Sequence, residues 1–122
     1  MKVTDLTHTI YEAMPVYPGT EGPKLLKANT LEKDGFQEMK MTMYSHTGTH
    51  IDAPAHMIEG AAFLNDLDIG HFIGTAAILD YTNIGSKRIE LSDLKPYEEL
   101  IRRVEFVVLR TGWAKYWGQK EY

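Results

Sequence analysis

Residues 46–56 read HTGTHIDAPAH and hold three of the chain's five histidines, together with an aspartate. Even spacing would leave about half a histidine in such a window. Imidazole nitrogens and a carboxylate suit a borderline divalent ion such as zinc, with manganese and iron as rivals. His46, His50, Asp52 and His56 share one parity, so on an extended backbone they all project to the same side. On a helix, His46 and His50 would share a face instead. Gly48, the flanking threonines and Pro54 disfavour the helix, so an extended path is the expectation. Three protein ligands leave a position open for water, whose pKa a bound zinc lowers to ~7. The two oxygens of Asp52 could also face two ions. His56, beyond the proline, is either a further ligand or a general base, since an imidazole with a pKa of ~6.5 suits proton transfer near neutrality. The competing reading is a loop of histidines bonded to backbone carbonyls. Four donors collected on one side speak against it, as does Gly48, whose missing side chain admits close approach.

The elements that must position these groups can be read from the flanking sequence. In residues 36–44, FQEMKMTMY, Met39, Met41 and Met43 alternate with Glu38, Lys40 and Thr42. Period two predicts a half-buried strand running into the cluster, with the methionines packed in the core rather than facing a cofactor. The β-branched content of residues 2–10 suggests another strand, with His8 near its end. Residues 14–23, MPVYPGTEGP, form a loop in which Pro18-Gly19 makes a turn and Tyr17 stands at the tip. Residues 75–81 and 105–113 read as strands, the second bounded by Gly112. Between them, ELSDLKPYEELIRRV predicts a short helix with Ser92 as N-cap and Pro96 in an early turn. His71 is expected on a surface. Trp113 and Tyr116 are read as core packing, with a pocket wall as the alternative. This order of elements gives an α/β or α+β domain.

A chain of 122 residues, 43% apolar and 25% charged, has room for one domain, residues 1–122, and one core. Its net charge of -4 argues against nucleic-acid binding, which needs a clustered basic surface. The pair Lys87-Arg88 is too short to make one and reads as a solvated turn. The absence of cysteine excludes a disulfide scaffold, a thiolate zinc site and a cysteine nucleophile. The first residues lack an apolar core of signal-peptide length and no segment approaches a membrane span, so no membrane association and a cytoplasmic location are expected.

HTGTHIDAPAH resembles the H-x-G-T-H-x-D-x-P-x-H signature of the cyclase family, which includes bacterial kynurenine formamidases and isatin hydrolases. DLTHTI, MPVYPGT and VVLRTGW extend the resemblance along nearly the whole chain in the expected order. It implies a metal-dependent amidohydrolase with a swivelling β/β/α fold, assembled at least as a homodimer. Position by position, it makes His46, His50 and Asp52 metal ligands, with Asp52 bridging two ions, and His56 the catalytic proton donor and acceptor. Tyr17 falls where kynurenine formamidases use a tryptophan against the aryl substrate, which keeps an aromatic wall but shifts the expectation away from N-formylkynurenine itself. A second metal in the family draws on a later histidine and glutamate, yet no histidine follows His71. The expectation is therefore the N-terminal portion of the family domain, incomplete at its C-terminal end; a natural short form with a mononuclear site is the alternative. The function expected is hydrolysis of an amide, formamide or lactam bond in a small aromatic substrate, with zinc or manganese as cofactor. A non-catalytic metal-binding module is the rival reading, and a plain interaction domain a third.

Overall fold

The computed structural model describes residues 2–85 and 88–122, so the Lys87 half of the expected basic turn lies outside the described residues. The architecture is mixed α/β, with two small sheets and short helices. The chain forms two compact units, Met1–Ala53 and Pro54–Tyr122.

The first unit is built on an antiparallel pair, β1 (Lys24–Asn29) and β2 (Glu38–Thr42), in which Leu25 faces Met41 and Leu26 faces Lys40. A one-turn helix, α1 (Leu31–Asp34), joins them. Thr30 caps it: its hydroxyl accepts the Lys33 N–H at 3.4 Å, while its own N–H donates to the Asp34 carboxylate at 2.8 Å. Gly35 then ends the helix in the left-handed region, φ 76°, where a side chain would be strained.

Period two correctly located β2, but the expected burial is wrong. Met39 and Met41 are each about half exposed, 49% and 50%, and no β2 residue is buried. A two-stranded ribbon has no second layer of its own to cover either face. The strand expected over residues 2–10 is also absent. The Asp5 carboxylate takes the N–H and hydroxyl of Thr7 at 2.9 and 2.8 Å, and the His8 N–H donates to the Thr49 hydroxyl at 3.1 Å. Side chains thus occupy backbone donors that a ladder would have used. The Pro18-Gly19 turn forms as expected, with the Thr20 N–H on the Tyr17 carbonyl at 2.9 Å and Gly19 at φ 88°.

In the second unit β3 (Ala76–Asp80) pairs in parallel with β4 (Phe106–Arg110), Ile78 opposite Val108. Ala77 and Leu79 are buried. The helix between them is broken into α2 (Leu91–Leu94), a 3-10 turn (Lys95–Tyr97) and α3 (Glu98–Ile101). Its N-cap is Glu90 rather than Ser92, with the Glu90 N–H on the Asp93 carboxylate at 2.9 Å. Pro96 explains the break, since it lacks the N–H that would continue the ladder. Trp113 and Tyr116 follow β4 in another 3-10 turn and meet edge-on at 5.0 Å. Trp113 is 45% exposed, which overturns the core reading for that residue, while Tyr116 is half-buried. Gly112, φ 73°, swings them clear of the strand by bending the chain immediately before the turn. His71 is exposed, as expected, in the 3-10 turn Ile69–Phe72.

Candidate metal centre

Three of the five candidate residues come together. One donor atom each from His46, His50 and Asp52 lies within 4.8 Å of the others. Neither an extended strand nor a helix brings this about. Residues 46–49 form a bend, and Gly48 sits in the left-handed region at φ 68°. The convergence first attributed to parity therefore comes from a turn that only glycine enters without strain.

The turn rests on the first unit's own side chains. A Cβ at Gly48 would stand 3.1 Å from Met14 Cε and 3.9 Å from Ile10 Cγ1. Met14 is buried, 4% exposed, and so is Thr47. The Thr47 hydroxyl has no hydrogen-bond partner among the described residues. Thr49 accepts the His8 N–H, which ties the N-terminal segment to the loop.

His46 Nδ1 lies 2.5 Å from Asp52 Oδ1, and His50 Nε2 lies 3.2 Å from the same oxygen. The two rings stand edge to face, 5.2 Å between centroids. His50 Nδ1 is 2.9 Å from the Gly48 carbonyl oxygen. A carbonyl can only accept, so Nδ1 carries a proton and donates it, while Nε2 faces the Asp52 oxygen. The side chains remain between a third and just over half exposed, so an ion could enter from solvent.

The donor set fits a divalent ion. Bonds of ~2.0–2.1 Å around a tetrahedral ion put neighbouring ligands about 3.3 Å apart. The His50–Asp52 separation of 3.2 Å matches that edge. The His46–Asp52 contact is a short hydrogen bond, which an ion would replace while the two groups move apart by several tenths of an ångström. His56 belongs to the second unit, at the end of the exposed 3-10 turn Pro54–His56. Tyr17 stands 78% exposed at the tip of its turn. Sequence reasoning did not find Met14, Thr47 or the His8–Thr49 link. The sequence makes Gly48 a point of close approach, but nothing in the spacing says that Met14 is what approaches.

The chain belongs to the cyclase family: the family model described as "Putative cyclase" matches residues 4–122. Among its relatives, the kynurenine formamidase of Bacillus mycoides (strain KBAB4) is 45% identical over 67 residues, covering 52% of this chain and 32% of the relative. The kynurenine formamidase of Geobacillus thermodenitrificans is 33% identical over 101 residues, 80% of this chain and 48% of the relative. That of Bacillus cytotoxicus is 33% identical over 103 residues, 81% and 49%. The chain thus spans about half the length, or less, of the curated relatives it matches. No helix among the described residues is long and apolar enough to cross a membrane.

Proposed function

We propose that this chain carries the metal-holding part of an arylformamidase-type hydrolase with the swivelling β/β/α fold, acting as one functional domain over residues 1–122. The observation that carries the proposal is the meeting of two imidazoles on one carboxylate oxygen, with His50 Nδ1 turned to the Gly48 carbonyl and Nε2 to that oxygen. The kynurenine formamidase relatives support hydrolysis of the formamidase type, and the bond cleaved would be an amide, formamide or lactam in a small aromatic substrate. His46, His50 and Asp52 would hold zinc or manganese. An ion held there supplies Lewis-acid polarisation of a carbonyl and makes water more acidic. His56 moves the proton to the leaving nitrogen, and Tyr17 offers its ring as a wall against the substrate's aryl group. The protein works in the cytoplasm as a homodimer or larger assembly.

Isothermal titration with zinc and with manganese tests the centre. Asp52→Ala should weaken binding by more than the ~10–100-fold that losing an outer partner costs, because it removes a ligand itself. Equal affinity in wild type and variant would sink the metal reading. A second reading is a metal-binding module without catalysis. Zinc binding with no turnover of aryl formamides would select it.

A further inference from the structure

Gly48 has two properties that together exceed what a loop glycine needs. Its φ of 68° lies in the left-handed region, and the position of a Cβ is filled to 3.1 Å by Met14 Cε, itself buried. That conformation also brings the Gly48 carbonyl oxygen to 2.9 Å from Nδ1 of His50, two residues on. Metal-binding histidines are held in one tautomer by whatever accepts their other N–H, commonly a carboxylate or a backbone carbonyl. Here the acceptor comes from the ligand loop itself.

Building on the metal reading above, we propose that Gly48 is a positioning residue for the ion. Its left-handed turn, seated on Met14, aims its own carbonyl at His50 Nδ1 and so commits His50 Nε2 to the metal. Rotating Gly48 out of that region carries the carbonyl away from the imidazole. His50 could then take up the other tautomer, with a proton on the nitrogen that has to bind. His46 instead turns its Nδ1 to Asp52. The turn thus sets the ligand of the pair whose Nε2 faces the shared oxygen.

The test compares Gly48→Ala with Gly48→Asn. Both place a Cβ against Met14, but asparagine tolerates the left-handed region far better than alanine. Two readouts are taken: nitrogen-15 chemical shifts of the His50 ring in the metal-free 122-residue protein, and zinc affinity by competition with a chelating dye. In wild type His50 should carry its proton on Nδ1. In Gly48→Ala that preference should be lost, with zinc binding weakened ~10–100-fold, the scale of a missing outer partner. Gly48→Asn should keep the tautomer and most of the affinity. A wild-type His50 with no proton on Nδ1 overturns the proposal, and that result stands even if the alanine variant does not fold. Equal losses in both variants also overturn it, since they assign the effect to the Met14 contact rather than the turn. The tautomer is read without metal, so a wild type that fails to bind zinc defeats the metal reading separately from this one.

Discussion

Thr47 lies between a metal-ligand candidate and the left-handed glycine, with its hydroxyl buried and unpartnered among the described residues. A polar group in that state typically costs ~1–3 kcal/mol in lost hydration. Thr47→Val keeps the branched shape and removes the cost, so its unfolding free energy in urea should rise by about 1 kcal/mol. A less stable variant would mean that the hydroxyl finds a partner in solution. The histidines divide by role in a different measurement. Under the proposed function, His46→Ala should lose zinc, whereas His56→Ala in a complete enzyme should keep it while slowing aryl formamide hydrolysis by ~10²–10⁴, the usual contribution of a general acid–base group. If both variants lose zinc equally, His56 is a ligand and its assignment as proton carrier fails.

At the level of elements, Pro96 gives the sharpest expectation. It divides α2 from α3 although the flanking residues are ordinary helix formers. Proline inside a helix is unfavourable by ~3 kcal/mol relative to alanine. Pro96→Ala should therefore deepen the circular dichroism signal at ~222 nm as the two short helices join, and raise the melting temperature. An unchanged spectrum would show that the break belongs to Tyr97 or to the packing around it. Strand positions were legible because β2, β3 and β4 carry their signals locally, in alternation or in an unbroken apolar run. Burial was not, because it depends on what lies above a strand, which neither Met39 nor Met41 encodes. The ligands were legible by type, yet their meeting point depends on the turn at Gly48 and on Met14, thirty-odd residues upstream. The helix start was misplaced by residue choice. Ser92 has the better capping chemistry, but the Asp93 carboxylate fixes Glu90 as the cap.

For the molecule as a whole, acid should act on the second unit's strand ends. The hydroxyl and N–H of Thr82, with Arg110 beside them, hold the Asp80 carboxyl below the usual carboxylate range. The hydroxyl and N–H of Thr75 do the same for Glu105. A carboxylate with a lowered folded-state pKa contributes stability that is present above its unfolded value and lost as pH falls through the folded one. Urea midpoints should thus drop as pH falls below about 4, and Asp80→Asn with Glu105→Gln should flatten that drop. A drop of the same size in the double variant would place the acid sensitivity elsewhere. On the exposed face of the parallel pair, Ile78 is 67% exposed opposite Val108 at 42%. Parallel strands ordinarily have both faces covered, so sedimentation should reveal concentration-dependent association that Ile78→Lys weakens. Association unaffected by that change would locate the contact on another surface.

The two ladders also differ in how far the chain must reach to close them. β1 and β2 are linked through a single helical turn, whereas Asp80 and Arg110 are paired across thirty residues. Hairpins zip in ~1–10 μs, while a parallel crossover must first meet the entropy of a longer loop. The chain's two tryptophans, Trp113 and Trp117, both follow β4. Intrinsic tryptophan fluorescence during refolding would therefore time the slow closure at β4 and remain blind to the early hairpin. The birth of the ligand loop would have to be followed by another signal, such as the tyrosine at position 44 or a cobalt ion taken up in place of zinc.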